Sequence, residues 1–261
     1  MKNRMELFEN APVWKAYFTI SLPVVFSMVV TLVYNMVDTF FVAGTQNASL
    51  VAGVSQCTPL FMLMLALGDI FGLGGSSLIS RLFGQKDDET ARNVSGFCFY
   101  AAIVCGLIVT VLMFAFQGPV LRVLGATSDT LKYASQYYFW IALGAPLIIL
   151  SLTPSNIIRT EGLAMQSMIA SVAGSILNIV LDPIFIFTLG MGAGGAALAT
   201  VLGYVLSDVL LVCYILRKSR HLTVSIRHAR VARKFVTSVF VIGIPASLTN
   251  LMQSYNIMVL N

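Results

Sequence analysis

The chain has 261 residues, of which 57% are hydrophobic and only 10% charged, with a mean hydropathy of +0.86 and a net charge of +5. Soluble domains carry about 25% charged residues, and no water-soluble core of this size hides so much apolar surface, so the excess must face lipid. The basic residues stand in short segments between apolar runs rather than along one amphipathic face, which fits a membrane better than nucleic acid.

A helix needs about 20 apolar residues to cross a hydrocarbon core of ~30 Å. Six runs meet that length, at 13–42, 50–80, 93–116, 130–153, 163–189 and 193–216, and a seventh opens near Phe235 and continues to Asn261. The expected fold is therefore an all-α, polytopic transmembrane helix bundle. It divides into a six-helix lobe over 1–216, a basic linker over 217–234 and the start of a second lobe over 235–261. The first run, which starts near Val13, is too long for a signal h-region of ~7–15 residues.

Orientation follows from the placement of Lys and Arg. With the N-terminus in the cytoplasm, Lys2, Arg4, Lys15, Arg81, Lys86, Arg92, Arg159, Arg217, Lys218, Arg220, Arg227, Arg230, Arg233 and Lys234 all lie inside. Only Arg122 and Lys132 then lie outside, which predicts a multi-pass protein of the cell membrane. The linker carries His221 and His228, but no carboxylate or Cys accompanies them in sequence. A solvated segment beside anionic lipid is the favoured reading over a metal site. Cys57, Cys98, Cys105 and Cys213 all fall inside apolar runs without CxxC spacing, and read as buried small hydrophobes.

An internal repeat spans the linker. Ile20-Ser21-Leu22-Pro23 recurs as Ile242-Gly243-Ile244-Pro245, and Tyr34-Asn35 as Tyr255-Asn256. Transporters commonly arise by duplication of a half, with the substrate site between the halves. The seventh span then reads as the first helix of a second copy that this chain does not include.

Ionisable groups at membrane depth cost ~2.5–3.5 kcal/mol on insertion scales and are functional candidates by default. Asp38, Asp69, Asp182 and Asp208 qualify, and no Lys, Arg or His lies deep enough to pair with them plainly. A buried carboxylate without a cationic partner recovers its cost by taking up a proton or binding a cation. At 1.5 Å per residue, Asp38 lies ~6 Å below the outer end of the first span, and Asp182, Thr200 and Tyr137 lie ~10 Å below theirs. These residues share one layer, with Asp69 and Asp208 deeper.

On the fifth span Asn178 and Asp182 are four residues apart and face the same way. Pro183 has no N–H to donate to the carbonyl of Ile179. Carboxylate, amide oxygen and free carbonyl are hard-oxygen ligands suited to Na⁺, or a relay suited to H⁺. A packing pair beside a proline kink is the structural alternative.

In order along the chain, several segments resemble the MATE (multidrug and toxic compound extrusion) transporters, and in particular their prokaryotic DNA-damage-inducible branch. They are Leu22-Pro23, Tyr34-Asn35-Met36-Val37-Asp38, Gly74-Gly75-Ser76-Ser77 through Arg81-Leu82-Phe83-Gly84, Arg159-Thr160-Glu161-Gly162, Asn178 to Ile184, and Gly195 to Thr200. The resemblance implies twelve helices in two lobes and export of amphipathic organic cations, driven by inward H⁺ or Na⁺ flow through alternating access. It assigns Asp38, Asn178, Asp182 and Thr200 to a cation-coupling site, and makes Tyr34, Asn35, Tyr137 and Tyr138 candidates for lining the cavity. No resident metal or cofactor is expected beyond the coupling ion. The partners expected are small amphipathic substrates, membrane lipid and the C-terminal lobe, with no nucleic acid.

Several other patterns carry a plainer reading. Gly190-Met191-Gly192-Ala193-Gly194-Gly195 satisfies GxGxxG, but it joins two apolar spans and reads as a tight turn. Asn47-Ala48-Ser49 reads as a glycosylation sequon, which matters only in a eukaryotic secretory system. Gly68, Gly72, Gly74 and Gly75 suit close helix packing. A lipid-linked-precursor flippase of the same superfold is the rival function, and it would show an intramembrane cationic cluster. A membrane-embedded enzyme would need a nucleophile–base or metal constellation, and no His lies inside the spans. A third alternative is a half-transporter that inserts but lacks activity.

Overall fold

The computed structural model describes residues 12–219, 221–225, 229 and 231–260. Lys2, Arg4, Arg220, Arg227, His228, Arg230 and Asn261 lie outside the described residues, as do the side chains of Lys15, Ile20 and Asn256. All regular structure among the described residues is helical: α1 (Val13–Gly44), α2 (Ala48–Gln56), α3 (Thr58–Gly84), α4 (Asp88–Ala115) and α5 (Gln117–Val123). There follow α6 (Leu131–Thr160), α7 (Ala164–Pro183), a π-helical turn (Ile184–Thr188), α8 (Ala193–Lys218) and α9 (Arg233–Leu260). Six segments are long and apolar enough to cross a bilayer: Tyr17–Gly44, Ala48–Gly84, Asp88–Ala115, Leu131–Thr160, Ala164–Thr188 and Ala193–Lys218.

The second span is not one helix. It breaks at Cys57, where α2 ends and α3 begins with Pro59 in its first turn. Proline is tolerated there because the first helical N–H groups have no intrahelical partner. Asn47 caps α2 by accepting from the Leu50 amide at 3.1 Å, and donates to the Tyr133 hydroxyl at 2.9 Å, so the sequon asparagine has a structural role. The short α5 was not anticipated. The α-helical ladder of α7 ends at Pro183, whose missing N–H gives way to the π-turn. Gly190 and Gly192 adopt φ of 64° and 52°, which makes the GxGxxG stretch a reversal between α7 and α8.

Helix α6 is the hub, with 72% of its membrane window buried against 12% for α1. It packs on α3, α4 and α8, while α7 pairs with α8 and α1 leans on α7. The α7–α8 contact is backbone-close at Gly174 and Gly203: a Cβ on Gly203 would stand 2.8 Å from the Gly174 carbonyl oxygen. Helix α9 lies along α3, with Gly243 against the Ile70 carbonyl and the rings of Phe71 and Phe240 5.8 Å apart. Both Pro23 and Pro245, the repeat's prolines, sit inside their helices. Leu22, Leu32, Met36 and Phe40 leave α1 studded with exposed apolar side chains, the composition a lipid-facing helix needs. Cys57 and Cys98 are buried as expected, whereas Cys213 is exposed.

The described start of the linker, Ser219 to Val224, is docked on the bundle. Ser95 donates to the Thr223 carbonyl at 3.1 Å, Tyr100 to the Val224 carbonyl at 2.9 Å, and Leu222 is buried. Glu161, at the α6–α7 loop, accepts from the Ser219 hydroxyl at 2.8 Å and the His221 amide at 3.0 Å. The His221 imidazole lies 3.1 Å from Asp88, so the fold supplies the acidic neighbour that the linker's own sequence lacks. Among the described residues no group of three metal-ligating side chains forms.

Candidate functional site

Two helices that are far apart in sequence bring the carboxylates together. α1 and α7 run side by side, and the carboxyl of Asp38 faces that of Asp182 within hydrogen-bonding reach whenever one of them holds a proton. As carboxylates both are acceptors only, and Asp38 Oδ1 and both oxygens of Asp182 are buried with no donor among the described residues. Asp182 is fully enclosed, at 0% exposure.

One turn earlier on α7, Asn178 is buried beside Thr200 of α8. Its Nδ2 donates to the Thr200 hydroxyl at 3.3 Å, and its Oδ1 is left buried without a donor. The Gly174–Gly203 approach is what allows this: without side chains at that crossing, the two backbones come close enough for a short amide to span them. The Tyr34 hydroxyl of α1 lies beside Thr200, with Tyr137 and Tyr204 also close to it. Tyr137 is in turn near Asp38 and Asp182.

The structure thus gathers Asp38, Asn178, Asp182, Thr200, Tyr34 and Tyr137. Asn35 is exposed and Tyr138 lies in the core, where it is fully buried and its hydroxyl donates to the Met113 carbonyl at 2.7 Å. Of Tyr34, Asn35, Tyr137 and Tyr138, it is Tyr34 that lines the cavity between these helices. Successive side chains on a helix diverge by about 100°, so Tyr34 and Asn35, or Tyr137 and Tyr138, point to different faces. Asp69 is half-buried on α3, and Asp208 of α8 is buried with neither oxygen paired among the described residues.

The cavity between α1, α3, α6, α7 and α8 has a volume of about 230 Å³. Tyr34, Asn178 and Thr200 form its upper wall, and Tyr204 and Ser207 continue it down α8. Sequence reading missed Tyr204 and the serines of this wall. The signal was present in the spacing of Ser167, Ser171 and Ser175 on α7, and of Ser151, Ser155 and Arg159 on α6, both sets at i, i+4. A larger, open hollow of about 450 Å³, between Gln117, Gln136, Trp140 and Met191, holds no ionisable group and none of the residues above.

Chemically, two facing carboxylates can hold one proton between them, because like charges at that range disfavour double ionisation. Together with Asn178 Oδ1 they also offer an all-oxygen set for a hard monovalent cation. Their lack of His or Cys fits H⁺ or Na⁺ rather than a transition metal.

Comparison with known proteins gives a consistent result. The MatE family model matches residues 23–184. The multidrug export protein MepA of Staphylococcus aureus (strain NCTC 8325 / PS 47) is 34% identical over 254 residues, covering 97% of this chain and 56% of that protein. Among solved structures, an outward-facing multidrug resistance MATE family transporter of the MOP superfamily aligns with a TM-score of 0.84 at 34% identity, over 91% of this chain and 52% of that one. An inward-facing one aligns at 0.80 and 33%, over 86% and 51%. The chain spans about half the length of the curated relatives it matches, 56% in the first case.

Proposed function

The chain belongs to the MATE family, whose members are transporters rather than enzymes, and we propose that it is the cation-coupling lobe of an exporter of amphipathic, cationic compounds. The observation that carries this reading is the facing pair of half-buried Asp38 and fully buried Asp182, in a membrane-spanning bundle without a cationic partner among the described residues. Such a pair is costly in an apolar bundle unless it takes up a positive charge. MepA is named as a multidrug export protein, which supports the drug substrate class.

In this mechanism H⁺ or Na⁺ enters between the two carboxylates, with Asn178 Oδ1 as a further acceptor. Neutralising the pair removes the repulsion between α1 and α7. A cation shifts a two-state equilibrium only by its differential affinity for the states, so the states must differ in the Asp38–Asp182 separation. Alternating access between outward- and inward-facing arrangements follows if α1 moves relative to α7. The likeness to both outward- and inward-facing transporters supports a lobe that persists through such a cycle. The N-terminus is cytoplasmic in this reading, because that orientation places the basic loops inside.

The test uses proteoliposomes containing this chain together with a second lobe, loaded with the cationic dye ethidium. Imposed H⁺ and Na⁺ gradients should drive dye movement by one ion or both, and Asp38→Asn or Asp182→Asn should abolish it while leaving insertion and folding intact. Gradient-driven transport retained by both variants overturns the coupling role. Residues 1–261 alone should insert yet give no drug resistance in an efflux-deficient strain, because one lobe supplies one wall of the substrate cavity.

A further inference from the structure

Beneath Asn178 a file of hydroxyls runs down the cavity among apolar groups, Leu65, Leu152, Gly174 and Gly203. Ser175 and Ser171 descend α7, Ser151 and Ser155 descend α6, and Tyr204 and Ser207 descend α8. From Asn178 to Ser171 is seven residues, or ~10 Å of helix at 1.5 Å per residue. Hydroxyls both donate and accept, so a file of them along one side of a void gives water, a proton or a small cation a chain of partners there.

At the lower end of this void its lining residue Ser155 is held by a cation that stands just outside it. The Ser155 and Ser167 hydroxyls, both buried, are 2.9 Å apart. Arg159 lies across them: its Nε donates to Ser167 Oγ at 3.0 Å, one terminal nitrogen to Ser155 Oγ at 3.3 Å, and the other to Asn156 Oδ1 at 3.5 Å. Arg159 makes no carboxylate ion pair among the described residues, so its charge, one hydrogen bond from the void's lining at Ser155, has no acid paired with it. A fixed positive charge in a low-dielectric constriction repels other cations strongly.

We propose that this hydroxyl-lined void is the route by which the coupling cation leaves the Asp38–Asp182 pair, and that Arg159 is its gate. With the guanidinium seated on Ser155 and Ser167 the route is closed, and its displacement connects the carboxylates to the water at the α6–α7 loop. This rests on the reading of Asp38 and Asp182 as the coupling pair, but it concerns a different part of the lobe.

Accessibility to thiol reagents tests it. In a background with the four cysteines replaced by serine, Ser171→Cys and Ser207→Cys are introduced singly and exposed to a cationic and an anionic methanethiosulfonate, in right-side-out and inside-out vesicles. The two cysteines should react from the Arg159 side only, slowly with the cationic reagent. Arg159→Gln should raise the cationic rate by about tenfold or more while changing the anionic rate little, and Arg159→Lys should keep the cationic rate low. Absence of reaction at both cysteines with Arg159→Gln overturns the route. Reaction at rates indifferent to the charge at 159 overturns the gate. Thermal unfolding of each variant in detergent identifies any that is misfolded, and Arg159→Lys then carries the comparison with native. Asp38→Asn, added to the same background, should stop coupled transport and leave the labelling pattern unchanged, so failure of the coupling reading and failure of the route give different results.

Discussion

The side-chain amide of Asn178 bridges α7 and α8 by donating to the Thr200 hydroxyl at 3.3 Å, and this turns its carbonyl oxygen, buried and unpaired among the described residues, toward use as a ligand. The direction of that bond matters, because an amide rotated the other way would present N–H groups and repel a cation.

Thr200→Val keeps the shape of the side chain but removes the acceptor that orients Asn178. A net hydrogen bond is worth about 1 kcal/mol, so the concentration of coupling cation needed for half-maximal transport should rise roughly fivefold. Transport titrated against Na⁺ and against H⁺ measures this, and an unchanged half-saturation in both would contradict the orienting role.

Adjacent tyrosines should separate cleanly. Tyr138→Phe loses a buried bond to the Met113 carbonyl, so the melting temperature should fall by about 2–4 °C for a change near 1 kcal/mol, with coupling intact. Tyr34→Phe removes the hydroxyl beside Thr200 and should alter the cation dependence with little loss of stability. Thermal denaturation and transport measured on the same two preparations check both halves.

Gly203→Ala places a Cβ 2.8 Å from the Gly174 carbonyl oxygen and 3.3 Å from Asn178 Cβ. Overpacking of this kind costs about 1–3 kcal/mol, and here it also pushes Asn178 away from Thr200. Gly118→Ala, which meets nothing within 4 Å, serves as the control and should be neutral. A Gly203→Ala variant with native melting temperature and native transport would show that the crossing is looser than described.

Asp87 gives a pH signature outside the membrane. It caps α4 by accepting from the Thr90 amide at 3.1 Å, and the Thr90 hydrogen bonds hold its carboxyl below the usual carboxylate range. A depressed value means that the folded state favours the charged form, so the cap contributes fully above the unfolded value of about 3.9 and is lost as pH falls through the lower folded one. The melting-temperature gap between native and Asp87→Ala should therefore be largest at neutral pH and close in acid. Asp87→Asn, another good cap, should hold its stability more evenly across that range.

Hydropathy and helical periodicity are local properties, and they made much of this protein readable in advance. Six apolar runs of membrane length, the carboxylates interrupting them and the Asn178–Asp182 spacing all follow from neighbours within a few residues. Proline chemistry at Pro59 and Pro183 is local too, yet its outcome was not legible: a break at Cys57 and a π-turn at Ile184 depend on what the adjoining helices accommodate. Which of Tyr137 and Tyr138 meets the carboxylates was decided by the rotation of α6 against α4 and α8, since only the Met113 carbonyl across the interface gives Tyr138 its partner. The same is true of the linker, whose bond from Ser95 to Thr223 joins residues 128 positions apart. Arg159 reads in sequence as one more inside charge. Only the crossing of α6 and α7 seats it on Ser155 and Ser167, because the void above it is enclosed by five helices and belongs to none of them.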